Sequence, residues 1–213
     1  STSSGAGSRA RLRGAMPDLP GRSTRERLLA AAAKCFAAGG SHGATTRAIA
    51  SAAGVNEVTI FRLFGGKERL LVEAKVKLLA TIAVEPLPPQ PGDAMSDITH
   101  WAGESVAQLS RVRDLLRHDL AEAASSSTAN SAGRLLGEMN EELARYLGAL
   151  EGVRITRARL EATVAMFVAA LVTEAIIGVS TRGRPWLPYE VRLHLYVAAT
   201  LDAVRSDHGE AAE

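Results

Sequence analysis

A short segment of the chain, residues 52–71 with the sequence AAGVNEVTIFRLFGGKERLL, carries the side chains best suited to specific recognition. Glu57, Val58, Thr59 and Arg62 stand close together within it. An arginine can donate two hydrogen bonds to guanine, a glutamate can accept one from cytosine, and valine or threonine methyl groups can contact thymine. On one face of a short helix, these side chains predict contact with the base edges of double-stranded DNA.

The alternative interpretation of Arg62 is a solvated surface residue, which is what most helical arginines are. The distribution of charge favours the first interpretation. Residues 1–70 contain nine arginines and two lysines against four acidic residues, a net charge of +7, whereas residues 71–213 have a net charge of −5. A basic N-terminal part and an acidic C-terminal part indicate that the N-terminal part meets a polyanion.

The elements that must position this face are two short helices joined by a glycine turn. Thr45 or Thr46 can cap a helix that ends at Gly54, and Asn56 can cap a second helix that runs to about Leu63. Glycine permits the left-handed backbone that such a turn needs, and the outline is that of a helix-turn-helix. The expected inward-facing residues are Ile49, Ala50, Ala53, Val55, Ile60, Leu63 and Phe64.

Further helices are predicted on both sides of this pair. Ser23 and Glu26 have the spacing of a capping box at the start of a first helix, which we expect to stop at the Gly39-Gly40 pair. A long helix is expected from about Lys67 to Val84, linking the two halves of the chain, with an exposed part near Lys75. Prolines in the segment 85–93 end it. Five more helices are expected at about 94–110, 112–123, 128–150, 156–179 and 188–206.

The chain lacks sustained alternation of apolar and polar residues, so the sequence predicts an all-α protein. We expect an N-terminal three-helix helix-turn-helix domain followed by a larger helical ligand-binding and dimerisation domain. The expected boundaries are a disordered basic arm at residues 1–22, a DNA-binding domain at 23–70 and the larger domain at 71–213.

The segments RERLLAAAAKCFAAGG and ATTRAIASAAGVNEVTIFRLFGGKERLL together resemble the DNA-binding domain of the TetR (tetracycline-repressor) family of transcriptional regulators. The resemblance covers about residues 23–71, and the remainder is similar only in helical layout and length. It implies phosphate contacts from Thr46 and Lys67, and Phe61 stands where the family commonly has tyrosine. The full set of expected DNA-binding residues is Thr45, Thr46, Arg47, Asn56, Glu57, Val58, Thr59, Phe61, Arg62 and Lys67.

A second copy of the chain is expected, because helix-turn-helix proteins usually bind two half-sites as two-fold dimers. The segment 156–179 is apolar on almost every face, so one of its stripes can serve the subunit core and another a partner. The alternative is that the last two helices are central helices of a monomer. The expected homodimer interface comprises Leu160, Val164, Phe167, Leu171, Val191, Leu195, Ala198 and Leu201.

A ligand-responsive regulator also needs a cavity with apolar walls and a few polar groups. The expected lining of a pocket for an unknown small-molecule effector is Trp101, His118, Met139, Asn140, Tyr146, Met166, Phe167 and Glu174. The favoured function is a regulator, most often a repressor, that leaves a pseudo-palindromic operator when the effector binds. A ligand-independent DNA-binding protein and a small all-helical enzyme are the alternatives.

Motifs of catalysis and of export are not evident. The sequence contains no GxSxG, HExxH or P-loop pattern, so we expect no enzyme activity and no cofactor. A single cysteine, Cys35, excludes an internal disulfide and a cysteine-based metal site. The start of the chain lacks the apolar region of a signal peptide, and Glu174 interrupts the longest apolar run, at 162–179. We therefore expect a cytoplasmic protein that does not span a membrane.

Overall fold

The computed structural model describes residues 23–125, 131–178 and 187–205, which contain nine α-helices and no β-strand. The predicted all-α fold, with an N-terminal helix-turn-helix and a larger helical part after it, is confirmed. The predicted basic arm at residues 1–22 lies outside the described residues. The helices are α1 Thr24–Gly43, α2 Thr46–Ala53, α3 Val58–Phe64, α4 Lys67–Leu79, α5 Ala94–Arg111, α6 Arg113–Ser125, α7 Ser131–Gly148, α8 Arg157–Ile177 and α9 Tyr189–Arg205.

Helix α1 begins at the predicted capping box. The Ser23 Oγ accepts a hydrogen bond from the Glu26 N–H at 3.2 Å, and the Glu26 carboxylate accepts one from the Ser23 N–H at 2.9 Å. The predicted end at Gly39-Gly40 is a kink in the structure, because Gly40 has φ +61° and ψ −164°. One further turn then carries the chain to Gly43, so the glycine pair redirects the helix rather than ending it.

The α2–α3 turn forms from local signals. The Thr45 hydroxyl accepts from the Ala48 N–H at 3.1 Å, and Gly54 ends α2 in the left-handed conformation with φ +66°. The Val55 N–H then donates to the Ala50 carbonyl at 3.0 Å, which closes the turn in the manner of a Schellman motif. Among the residues expected to face inward, Ile49, Ala50, Ala53, Ile60 and Phe64 are buried, while Val55 and Leu63 are partly buried against the same core.

Helix α4 is shorter than predicted and ends at Leu79 rather than at Val84. The Thr81 hydroxyl donates to the Leu78 carbonyl at 2.6 Å, which replaces the backbone bond that a continuing helix would make. Beyond it the chain is extended and returns to the protein, where Leu87 is buried and its N–H donates to Glu142 Oε1 at 2.8 Å. Helix α4 thus ends before the first proline, Pro86, is reached.

Lys75 is also placed differently from the expectation. Its side chain is largely buried against α6 and pairs with Asp119, so this part of α4 is not the exposed stretch that the sequence suggested. Helix α4 runs through the predicted domain boundary at residue 70 and packs on α1, α3 and α7, and α1 in turn packs on α6. The two halves of the described chain are thus joined through α1, α4 and α6.

Helix α8 lies at the centre of the C-terminal half, where it packs on α5, α6, α7 and α9. Within the described ranges, α8 is the one helix long and apolar enough to cross a membrane by length and composition. Helix α8 contacts four neighbouring helices, and a central helix of a helical bundle is also long and apolar.

Candidate nucleic-acid interface

The outward face of α3 carries apolar side chains and one cation. Val58 is 69% exposed and Phe61 is 56% exposed, whereas Ile60 and Phe64 on the other side are buried. Arg62 is exposed, and its guanidinium has no partner among the described residues. Exposed apolar side chains that flank an unpaired arginine mark an interaction surface, because solvent alone does not favour their exposure.

Glu57 lies at the start of this face but is already hydrogen-bonded. The Thr46 hydroxyl donates to Glu57 Oε2 at 2.7 Å, which joins the start of α2 to the start of α3. Glu57, which is predicted to contact a base, is thus hydrogen-bonded to Thr46, which is predicted to contact phosphate. A carboxylate has about four acceptor positions, so Glu57 can make this bond and still accept a hydrogen bond from outside the protein.

A groove of about 430 Å³ lies beside this face at the start of α4. The Lys67 ammonium donates one hydrogen bond to the Ser41 carbonyl at 3.1 Å and keeps two N–H groups available. Gly66 precedes α4 and provides no side chain to cap its first N–H groups, which therefore favour an anion. The residues that line the groove are Thr45, Thr46, Phe61, Gly65, Gly66, Lys67 and Glu68.

The structure brings the ten predicted DNA-binding residues onto one continuous part of the molecule, formed by α2, α3 and the start of α4. Arg47 on α2 is exposed. Asn56 is exposed as well. The N-cap residue of α3 is Glu57 rather than the predicted Asn56, although Asn56 Oδ1, one residue earlier, accepts from the Val58 N–H at 3.0 Å. Thr59 is half-buried, as are Thr46, Glu57 and Lys67.

Arg25 contributes to this region without having been predicted. Its guanidinium donates to the Leu63 carbonyl at 3.2 Å, forms an ion pair with Glu73 and lies 4.4 Å from the centre of the Phe64 ring. These contacts tie α1 to the end of α3 and to α4, and thereby fix the direction of the exposed face. The partners are 38 and 48 positions away in sequence, so no local pattern indicates them.

The residues predicted to line an effector pocket do not lie in one place. Met166 is 73% exposed, which corrects its assignment to a pocket, since the buried face of α8 points the other way. His118 packs against the Phe36 ring with the ring centres 6.0 Å apart, at the contact between α1 and α6. Asn140 Oδ1 is buried without a partner among the described residues, as is Ser105 Oγ on α5.

Glu174, predicted as a polar group of the pocket, forms an ion pair instead. Its carboxylate lies 2.5 Å from an Arg192 nitrogen and accepts from the Tyr196 hydroxyl at 3.0 Å. The hydrogen bond from Arg192 lowers the pKa of Glu174, outweighing the opposite effect of burial, and the bond from Tyr196 lowers it further. Glu174 therefore links α8 to α9, and its partners lie on the next helix of the same subunit.

The other predicted pocket residues, Trp101, Met139, Tyr146 and Phe167, are buried. The Tyr146 hydroxyl donates to Asp97 Oδ2 at 2.6 Å, and burial together with this bond raises the pKa of Tyr146. A second cavity, of about 310 Å³, lies between α1 and α4, away from these residues. Neither described cavity is lined by the predicted pocket residues.

The predicted dimer residues divide into two groups. Val164, Phe167, Leu171 and Leu201 are buried in the core of their own subunit, which corrects their assignment to a partner contact. Leu160 and Ala198 are half-buried. Val191 and Leu195 are exposed on α9, and the exposed stripe of α8 contains Met166, Thr173 and Ile177, none of which was predicted as a dimer residue.

Within the described residues, no group of three or more histidine, cysteine, aspartate or glutamate side chains is placed to hold a metal ion.

Comparison with known proteins finds a family model that matches the part of the chain containing this surface. Residues 28–74 match the family described as bacterial regulatory proteins, tetR family, and these residues contain all of the predicted DNA-binding set. No curated protein matches the chain significantly in sequence.

Solved structures resemble the whole fold. A transcriptional regulator from Rhodococcus sp. Rha1 is 23% identical with a TM-score of 0.63, and the match covers 86% of this chain and 99% of that one. A tetR-family regulator from Streptomyces coelicolor is 20% identical with a TM-score of 0.63, covering 88% and 83%. BioQ, solved with its double-stranded DNA operator, is 18% identical with a TM-score of 0.58, covering 84% and 99%. At these identities the likeness concerns the fold.

Proposed function

We propose that this chain, a DNA-binding transcriptional regulator of the TetR family, is a ligand-responsive repressor that binds a pseudo-palindromic operator as a homodimer. The observation that carries the proposal is the exposed face of α3, where Val58, Phe61 and the unpaired Arg62 stand beside the groove at Lys67. A small-molecule effector releases the operator. Residues 23–70 form the DNA-binding domain, and residues 71–213 form the domain for effector binding and dimerisation.

Each part of the interface has a chemical role in this proposal. Arg62 donates to a guanine, and Val58 and Phe61 make apolar contacts with thymine methyl groups or sugars. The Lys67 ammonium and the first N–H groups of α4 bind a backbone phosphate in the groove. Thr45, Thr46, Arg47, Asn56, Glu57 and Thr59 complete the contact.

The phosphate contact gives a prediction for salt dependence. Replacement of Lys67 by alanine should weaken binding to all DNA sequences alike, because phosphate carries no sequence information. The slope of log affinity against log salt should become shallower by about 0.9, the value for one lost phosphate neutralisation. Titrations of fluorescent duplex between low and moderate salt measure both quantities. A slope that equals that of the wild type would remove Lys67 from the phosphate contacts.

Dimerisation is supported by apolar surface that one subunit leaves uncovered. Met166 and Ile177 on α8, and Val191 and Leu195 on α9, are all exposed. Thr173 lies on the same stripe of α8, and its hydroxyl donates to the Ala169 carbonyl at 2.8 Å, so an apolar partner could cover it without loss of a hydrogen bond. Two such helices from each subunit would form a four-helix interface about a two-fold axis.

Effector binding is supported by two buried polar atoms. Ser105 Oγ on α5 and Asn140 Oδ1 on α7 have no partner among the described residues, and both helices pack on α8. Since buried polar groups are nearly always hydrogen-bonded, such atoms are suited to bind a polar group of a small molecule. Ser105 and Asn140 are therefore our candidate effector contacts.

A ligand-independent DNA-binding protein is the second candidate, and it shares the α3 face but needs no effector. A small helical enzyme is the third, and family membership favours regulation over catalysis. The first two candidates differ only in whether a compound changes operator binding, so they are separated by the same assay with and without added compounds.

Selection from randomised DNA duplexes with the purified protein tests the proposal. We expect recovery of an inverted repeat whose half-site centres lie about one DNA turn, or 34–36 Å, apart, or at a multiple of that spacing. A compound library then identifies molecules that release the recovered operator. Recovery of unrelated sequences at equal affinity would contradict sequence-specific regulation, and an operator that no compound releases would favour the ligand-independent candidate.

A further inference from the structure

The polar residues between the two halves of the described chain meet at Ser41, just after the kink in α1. The Ser41 carbonyl accepts from the Lys67 ammonium at 3.1 Å, and the Ser41 N–H donates to Glu122 Oε1 on α6 at 2.9 Å. The carbonyl of Ser41 is thus bound by Lys67 of the groove, and the N–H of Ser41 is bound by Glu122 of the C-terminal half. Only the backbone of Ser41 separates the two contacts.

Gly40 fixes the direction of both Ser41 groups. Its φ of +61° with ψ of −164° belongs to a region of backbone conformation that is essentially restricted to glycine. A Cβ at this buried position would lie 3.1 Å from His118 Nδ1, so α1 and α6 approach each other closely here. The position of Ser41 is therefore determined by the backbone of α1 and by its contact with α6.

Helix α6 is itself anchored on both sides of this contact. Asp119, one turn before Glu122, lies 2.6 Å from the Lys75 ammonium on α4, and its other oxygen accepts from the Ala132 N–H at the start of α7 at 2.8 Å. Burial raises the pKa of Glu122, but the hydrogen bonds from Ser41 and the charges of Lys75 and His118 lower it by more. Glu122 therefore remains an ionised, strong acceptor at neutral pH.

We propose that Glu122 is a positioning residue for DNA binding: by holding the Ser41 N–H, it sets the carbonyl that orients the Lys67 ammonium in the phosphate groove. Because Lys67 uses one of its three N–H groups on Ser41, its two remaining donors point in directions set by that bond. A residue of the C-terminal half thus determines a contact made at the DNA. The inference rests on the proposed function, since it requires Lys67 to bind phosphate.

Two substitutions of Glu122 separate position from charge. Glu122→Asp keeps the charge but shortens the side chain by one methylene group, so it should lose the Ser41 bond. Glu122→Gln keeps an oxygen at the same reach and should retain that bond. We expect Glu122→Asp and Glu122→Ala to weaken operator binding by about three- to tenfold and Glu122→Gln by less than about twofold, since loss of the Ser41 bond misdirects one phosphate contact without removing it.

The readouts that a purely structural role would not change are the salt slope and the coupling to Lys67. In Glu122→Asp the slope of log affinity against log salt should become shallower by up to about 0.9, as for Lys67→Ala. In the Lys67→Ala background the same substitution should change affinity by less than about twofold, because the contact it positions is already gone. Asp114→Ala, an exposed acid on the same helix, is the control and should leave affinity and slope unchanged.

Each variant is first checked for wild-type helicity and thermal midpoint by circular dichroism. Equal losses from Glu122→Asp in the wild-type and Lys67→Ala backgrounds, or a wild-type slope in Glu122→Asp, would overturn the inference. A Glu122→Gln variant that binds the operator as weakly as Glu122→Asp would also overturn the inference, because the charge of Glu122 rather than its position would then determine binding. If the wild-type protein itself shows no preferred DNA sequence, it is the proposed function that fails. If Lys67→Ala alone alters the slope, only the role of Glu122 fails.

Discussion

Replacement of Lys75 by alanine is expected to lower the free energy of unfolding by about 3–5 kcal/mol, the usual cost of removing one partner of a buried ion pair. Asp119 is fully buried, and the side chain of Lys75 is 12% exposed. The variant would keep the Ala132 N–H as a donor to Asp119 but would remove the Lys75 ammonium that is paired with this buried carboxylate. The Lys75 ammonium also lies 4.7 Å from the centre of the Phe36 ring, so a cation–π contact is lost as well.

Thermal and urea denaturation followed by circular dichroism measure this effect, which corresponds to a decrease in Tm of about 10 °C for a chain of this size. Lys77→Ala is the matched control, because Lys77 is on the same helix, is 57% exposed and lies 3.9 Å from Glu26. The double variant Lys75→Met with Asp119→Asn removes both charges and keeps an acceptor for the Ala132 N–H, so it should recover much of the loss. A Lys75→Ala variant as stable as Lys77→Ala would contradict the buried pair.

Replacement of Leu195 by aspartate is expected to convert the proposed dimer to a monomer and to abolish binding to the full operator that we propose. Leu195 is 49% exposed in the single subunit, so the fold should tolerate the charge. In a two-fold interface the substitution places two charges in apolar surroundings. At about 2 kcal/mol or more for each charge, the dimer dissociation constant should rise by roughly a thousandfold.

Sedimentation velocity gives the mass, and a titration with operator duplex gives the affinity. Val72→Asp is the matched control, because Val72 is 54% exposed and lies on α4, outside the proposed interface. The control should remain a dimer. A Leu195→Asp protein that also remains dimeric would show that the apolar surface of α8 and α9 is not the interface.

Local signals explain why the DNA-binding part could be predicted from the sequence. The capping residues Ser23 and Thr45, and the left-handed Gly54, each act on backbone groups within five positions in sequence. Such short-range bonds are visible in the order of residue types. The outward face of α3 followed from them, because its register is set by the buried residues Ile60 and Phe64.

Long-range contacts explain where the prediction failed. The chain that follows α4 is held by a bond between Leu87 and Glu142, which are 55 positions apart, and Lys75 is paired with Asp119, which is 44 positions away. Helix α8 presents a different difficulty, because both of its stripes are apolar and periodicity alone cannot tell which one faces the subunit core. The sequence therefore indicated that α8 has two apolar stripes, but three of the residues that it assigned to a partner, Val164, Phe167 and Leu171, are buried in the core of their own subunit.

The claim that the exposed face of α3 reads DNA bases is tested most directly by Arg62. Wild-type and Arg62→Ala proteins are titrated against the selected operator and against a panel in which each base pair of the half-site is replaced in turn. We predict that Arg62→Ala loses about 1–3 kcal/mol on the selected operator and no longer discriminates at one base pair in each half-site, because the contact to that base is gone. Discrimination at all other positions should remain as in the wild type. A uniform loss across the panel, with every preference retained, would make Arg62 a backbone contact and would contradict the assignment of α3 as the reading face.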